Sequence, residues 1–342
     1  MTDQGKKYRA HAIALYSGGL DSTLAILLML KQDIKVTALF FVHNFGYVPD
    51  PDDPSETNPY TVAKKFVFDL EVIHLGEKFI DIVLEPEHGW GAHMNPCLDC
   101  KILMMREASA YMEKVGADFV VTGEVMGQRP FSQLKNQMNL VLKKSGLKGK
   151  LLRPLCAQHF SPTEPELSGL VDREQLLDIQ GRGRKRQIML AEEYGLLDYP
   201  TPAGGCLLTD KGFSNRLKDL IEHSENLSPD NIDLLKVGRH FRIDKDTKVV
   251  VGRNEKENDR LEKLVRPHHL LFDVNDIASP LALLIGPATD DNLQTAALLT
   301  ARYCSARNKT AVKVTAFQNG EVFREVSVNP AVDFDHTLKA IT

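Results

Sequence analysis

The chain has no long apolar run. Its densest one, residues 24–30, is too short to span a bilayer and has charged flanks. The stretch before residue 10 is brief and polar and holds no signal-peptide core. A cytoplasmic protein with no membrane partner is therefore expected. Cysteine is scarce, with five in 342 residues, too few in a cytosolic chain of this size to suggest a disulfide framework. A dominant charge is lacking too: the formal net charge of −4 gives no global reason to bind nucleic acid. No Gly-Lys-Ser/Thr run occurs, which excludes a Walker-type phosphate loop. There is no strong internal repeat and no low-complexity tract. At 43% hydrophobic and 26% charged residues, the chain is an ordinary soluble sequence, long enough for two domains with a sizeable core.

What is present begins with Ser17-Gly18-Gly19-Leu20-Asp21-Ser22. This run lies between an apolar stretch, residues 12–16, and an amphipathic one, residues 23–31. The order reads as strand, glycine turn, helix. Glycines let the backbone approach a ligand, and the turn presents free N–H groups at a positive helix end. Asp21 and Ser22 suit the first turn of a helix. A phosphate chain is the natural guest. A bare βα turn with a satisfied cap would need no ligand, but the full run directly after a first strand is more specific than a glycine pair. It resembles the PP-loop of the ATP pyrophosphatases. That resemblance implies ATP cleaved between its α and β phosphates, transfer of AMP to a substrate oxygen, and Mg²⁺ to offset the phosphate charge, with Asp21 a ligand.

Further strand-like runs fall at residues 36–42, 71–75 and 119–122, with helical patterns at 22–31, 60–69 and 101–115. Such alternation predicts an α/β fold, a parallel sheet with helices on both faces, and a nucleotide at the strands' carboxyl ends. Residues 45–58, 85–96 and 161–166 read as loops. After about residue 213 the character changes. A short helix at 217–223 and a turn at 228–230 precede a hairpin of 241–243 with 248–251. Strands at 281–285 and 311–317 then flank a helix at 293–305. This predicts a catalytic domain over 1–213 and a smaller α+β domain over 214–342.

Cys97-Leu98-Asp99-Cys100 follows a loop and opens a helical run. Two cysteines at this spacing can ligate one centre, and a helix N-terminus lowers thiol pKa. Cys206 is a third candidate, flanked by prolines and glycines. Cys156 and Cys304 lie in apolar runs and read as core residues. Three cysteines allow a 4Fe–4S cluster with one open iron, a persulfide relay, or structural zinc. Zinc usually takes four closed ligands, and only His93 offers itself as a fourth.

Thr122-Gly123-Glu124, Gly127-Gln128 and Ser132-Gln133 follow the strand at 119–122. They are similar to a stretch of the 4-thiouridine synthetases, with Arg129-Pro130-Phe131 where that family has two residues. Polar groups here, Gly123 and Gln128 among them, would position a base or adenosine phosphates. From about residue 12 to 210 the chain resembles the catalytic domain of those enzymes, without their N-terminal RNA-binding extension or C-terminal rhodanese domain. The three cysteines resemble those of iron–sulfur-dependent tRNA thiolation enzymes.

Residues 125–163 hold seven Lys/Arg and no Asp/Glu, and Arg182, Arg184, Lys185 and Arg186 form a second basic cluster. Such blocks contact a phosphate backbone or form a solvated face. Arg129, Lys143, Lys144, Arg182, Arg184 and Arg186 are candidate RNA contacts. In the C-terminal part, Val250 to Asp259 resembles the Val-Gly-Arg-Asn…Asn-Asp signature of the NFACT RNA-binding domain, which implies RNA docking by Arg253 and Asn254.

Together these imply an ATP-dependent tRNA sulfurtransferase. It would use Asp21, Cys97, Cys100 and Cys206 in catalysis and Ser17, Gly18, Gly19, Asp21 and Ser22 for ATP, with a 4Fe–4S cluster on the three cysteines. Expected partners are tRNA and a sulfur donor, free sulfide or a cysteine desulfurase, with a second copy of the chain a further candidate. Two other readings stay open: an adenylating ligase that uses an amine, and an RNA-binding iron–sulfur protein without ATP turnover.

Overall fold

The fold was obtained as a computed structural model, which describes residues 7–201, 206–223, 227–275, 277–331, 338 and 340–342. The chain divides into two compact units, Met1–Cys206 and Leu207–Thr342. The division precedes Phe213, where the sequence changes character.

The first unit is built on five strands, β1 (Ala10–Tyr16), β2 (Ile34–Val42), β3 (Asp69–His74), β4 (Phe119–Thr122) and β5 (Leu151–Leu152). All pair in parallel, in the order β3-β2-β1-β4-β5. The alternation of β1 sets the two faces. Ala12, Ala14 and Tyr16 pack with α1 (Leu20–Leu30) through Leu24 and Leu28, whereas Ile13 packs with α4 (Cys97–Val115) and α5 (Lys135–Ser145) through Met105 and Val141. The helices α2 (Pro59–Phe66), α3 (Glu77–Leu84), α6 (Glu164–Leu167) and α7 (Lys185–Glu193) complete the unit.

Strand order reverses between β1 and β4. Their carboxyl ends, Leu15 and Thr122, are in register, so the residues that follow each strand meet at one crevice. That crevice holds the phosphate-loop candidate after β1 and the Thr-Gly-Glu run after β4.

The second unit opens with α8 (Lys211–His223) and α9 (Pro229–Leu234). Six antiparallel strands follow: β6 (Arg239–Arg242), β7 (Lys248–Val251), β8 (Leu270–Asp273), β9 (Ala282–Ile285), β10 (Val312–Gln318) and β11 (Glu321–Val328). Their order is β11-β10-β8-β9-β7-β6. Helix α11 (Asp290–Arg302) covers one face, where Val249 and Val251 meet Leu293 and Ala297. On the other face Val250 packs with Leu234 and with Leu261 of α10 (Glu255–Lys263).

Three sequence expectations need correction. Residues 228–230 are not a free turn: Ser228 caps α9 and Pro229 occupies its first position. Residues 161–166 are not all loop, since Thr163 and Glu166 form a capping box on α6. Helix α4 starts at Cys97, not at 101, which puts both cysteines on the helix itself.

Candidate functional site

The turn after β1 is braced from within. The hydroxyls of Ser17 and Ser22 lie 3.1 Å apart, and the Ser17 N–H donates to Ser22 Oγ at 3.3 Å. Ser22 Oγ and Thr23 Oγ1 both donate to the Gly19 carbonyl, at 2.9 and 3.0 Å. Gly18 has φ +72°, a conformation that L side chains rarely adopt. Gly19 is the N-cap and supplies no side-chain cap bond, so an anion would meet the uncapped first turn of α1.

The loop after β4 closes on this turn. A Cβ at Gly123 would lie 2.5 Å from the Ser22 nitrogen and 2.6 Å from the Asp21 carbonyl. Only glycine permits that approach of strand end to helix start. Gln128 Nε2 donates to Asp21 Oδ2 at 3.1 Å. Burial pushes the Asp21 carboxyl up, opposed by Gln128, the Arg184 and Arg129 guanidinium groups and the buried Gln187 amide. The other oxygen, Asp21 Oδ1, is buried with no hydrogen-bond partner. Thus Asp21, Gln128, Arg129 and Arg184, drawn from three segments, share one site.

The cysteines adjoin it. Burial raises the Cys97 thiol, with Lys101 and Arg129 opposing. Burial pushes Cys100 up to about 12, aided by the charges of Cys206 and Cys97. The expected lowering by the helix N-terminus is outweighed, because loss of water penalises the thiolate more than the first turn favours it. The charge of Cys206, remote in sequence, thus reaches Cys100. Its flanking residues 202–205 lie outside the described residues. Cys156 and Cys304 are buried, as expected of core residues.

Sequence reasoning missed a buried ion triad behind the cysteines. Glu124 accepts from Lys101 Nζ at 2.5 Å and from Arg153 Nε at 2.9 Å. Thr122 Oγ1 donates to the same carboxylate at 3.2 Å. Burial would raise this carboxyl, but Lys101 and Arg153 win and hold it at about 2. Within four residues of Cys97, Lys101 was a findable signal; its partner across the fold was not.

Among the described residues, the one group of three ligating side chains within 4.8 Å of one another is Glu87, His88 and Asp99. The three thiols thus do not stand at the spacing of a closed single-ion zinc site. His88 Nδ1 lies 2.8 Å from Asp99 Oδ1, and Glu87 is paired with Lys144. The basic candidates separate by environment. Arg129, Lys143 and Arg182 are exposed, Lys144 is engaged with Glu87, and Arg186 pairs with Asp178 at 2.7 Å. Arg153, counted in the basic block, is buried and out of reach of a phosphate. In the second unit Asn254 caps α10, accepting from the Glu257 N–H at 3.1 Å. Arg253 is 43% exposed beside Glu257.

Residues 8–159 match the family model described as thiamine biosynthesis protein (ThiI), and residues 238–336 match that of the NFACT protein RNA binding domain. These are the two regions whose motifs carry the resemblances read from the sequence. The chain is 33% identical to a probable tRNA sulfurtransferase of Methanosarcina acetivorans, over 34% of this chain and 28% of that protein. It is 31% identical to tRNA-specific 2-thiouridylase MnmA of Syntrophotalea carbinolica, over 34% of this chain and 35% of that protein. The chain thus spans about a third of the length of these relatives. Among solved structures it is similar to a 4-thiouridine synthetase–RNA complex with bound ATP, at 18% identity and a TM-score of 0.34, covering 55% of this chain and 52% of that one.

Proposed function

We propose that this chain, which joins a ThiI-type region to an NFACT-type region, is an ATP-dependent tRNA sulfurtransferase. The observation that carries the proposal is the loop after β4, which donates from Gln128 to Asp21 Oδ2 at 3.1 Å and, at its Ser132 carbonyl, accepts from Lys101 of the cysteine helix at 3.4 Å. Nucleotide chemistry and sulfur chemistry would then share one crevice.

ATP would rest its phosphates on residues 17–22, where Gly18 and Gly19 leave the backbone open. Arg129 and Arg184 offset phosphate charge from the side of Asp21. The buried, unpartnered Asp21 Oδ1 fits a ligand to Mg²⁺, which would stabilise charge on the phosphates. A uridine carbonyl oxygen attacks the α phosphorus and pyrophosphate leaves. The adenylated oxygen is now a good leaving group, hydrosulfide attacks the ring carbon, and AMP departs with the original carbonyl oxygen. Preorganised N–H groups and the two arginines stabilise negative charge in both steps. Three gathered thiols with Lys101 and Arg129 alongside are a soft donor set with compensating positive charge, which fits a 4Fe–4S cluster on Cys97, Cys100 and Cys206; when bound it would supply an iron with an open position for sulfide. The second unit would dock RNA through Arg253.

The test begins with anaerobic purification and iron and sulfide assays on wild type and Cys206→Ala. Iron and sulfide in the first, lost in the second, support the three-cysteine cluster; iron-free wild type points to a persulfide relay. Cys97→Ala, Cys100→Ala and Cys206→Ala are each expected to abolish thiolation while ATP binding persists. Normal thiouridine in RNA from cells that carry only these variants overturns the sulfur role and favours an amine-using ligase. Asp21→Ala is expected to abolish AMP formation, and unchanged pyrophosphate release removes Asp21 from the reaction.

A further inference from the structure

Phe131 is 58% exposed, yet its neighbours Ser132 and Gln133 are buried. The turn that carries it is closed: the Gln133 N–H donates to the Arg129 carbonyl at 3.0 Å, and the Gly127 N–H donates to the Gln133 carbonyl at 2.6 Å. Lys101 Nζ reaches the Ser132 carbonyl at 3.4 Å, which ties the turn to the cysteine helix. Pro130 restricts the backbone just before the ring. An ordered turn thus holds an aromatic ring out in water.

The ring borders the site. A Cβ at Gly91 would lie 3.8 Å from Phe131 Cγ, so the ring leans on the loop that runs into Cys97. Trp90, 49% exposed, precedes Gly91 and is pinned by its indole N–H to the Val83 carbonyl at 3.0 Å. Arg129, exposed, lies two residues before the ring, and its charge reaches the Cys97 thiol. An exposed ring two residues from an exposed cation suits a nucleobase joined to its phosphate.

The chemistry demands such a support. A pyrimidine in a duplex is stacked on both faces, and its ring carbon is not open to a nucleophile, which must add from a face of the ring. An extruded base loses that stacking and recovers it on an aromatic side chain. We propose that Phe131 is a stacking platform for an unstacked pyrimidine, so that this protein takes its target base from single-stranded or loop RNA and not from a duplex. The inference rests on the RNA reading above and adds to it the state in which the base is presented.

Trp90 is the sole tryptophan of the chain, so its emission reports this rim alone. The full chain is titrated with a short oligouridylate, following Trp90 emission for the rim and the anisotropy of the labelled strand for all binding. Saturable quenching is expected from the single strand and none from the same strand paired with oligoadenylate. Phe131→Ala should shift the quenching midpoint about tenfold toward weaker binding, and Phe131→Tyr should leave it near wild type. Equal midpoints for wild type and Phe131→Ala, or equal quenching by the duplex, overturn the platform. Anisotropy binding without Trp90 quenching overturns the platform and keeps the RNA reading. No binding by either signal removes both.

Discussion

Gly123 and Asp21 make opposite demands on one contact. At Gly123 the first turn of α1 leaves no room for a side chain. At Asp21 the same closeness strips water from a carboxylate and raises its pKa. A raised carboxyl is a stability penalty at neutral pH, because the unfolded chain ionises more easily. The penalty fades as pH falls through the folded value. Asp21→Asn should therefore raise the melting temperature of the free protein at pH 7, by about 2–4 °C per kcal/mol recovered, while AMP formation is lost. The gain should shrink in melts run down through the carboxylate range; a gain that persists at low pH, or a loss at pH 7, contradicts the assignment. The loop itself was legible because its glycines and small polar residues are local. The contact of Gly123 with Ser22 was not, because it joins residues a hundred positions apart.

At the scale of elements, the Lys101–Glu124–Arg153 triad locks the cysteine helix α4 to the loop after β4. Glu124→Gln would leave the buried Arg153 and the half-buried Lys101 without a full counter-charge. Breaking a buried ion pair from one side costs about 3–5 kcal/mol, so the urea midpoint of the first unit should fall accordingly, as read from Trp90 emission. A midpoint within error of wild type would mean that Lys101 and Arg153 find water. The elements read from sequence were those with strong periodicity, such as β1, β2 and the body of α4. The start of α4 was missed because Pro96 to Lys101 shows no apolar period before Ile102. Helix α5 was missed because Lys, Asn and Gln dominate it; burial of Val141 is what holds it to the sheet. The turn read at 228–230 used the residues that also cap helices, and only the chain beyond them decides which forms.

For the molecule as a whole, the two units carry different pH liabilities. In the second unit His240 is fully enclosed and held well below its ordinary value, chiefly by burial and then by Lys248. Burial, His268 and Arg266 lower His269 from 6.5 to about 4. For both, the unfolded chain takes up the proton first. Stability of this unit is therefore intact above about 6.5 and is lost as pH falls from there toward 4, on the order of 3 kcal/mol for His269. Hydrogen exchange on β6 to β9, corrected for intrinsic rates, should show this loss between pH 7 and 5. Equal protection at both pH values would place the imidazoles in contact with water.

By itself the sequence determined a doubly covered parallel sheet, a phosphate-type loop after its first strand, a cysteine pair before a helix and a second, α+β unit. These follow from local quantities: the period of apolar residues, the chemistry of turns and the spacing of ligating side chains. Tertiary structure decided the strand order that brings residues 17–22 and 122–133 to one crevice, and that the charge of Cys206 is felt at Cys100. It also decided which cations stay exposed and which are consumed by buried acids. These are sums over contacts between distant segments, where register and burial are set by the packing of the whole sheet and by no single stretch of the chain.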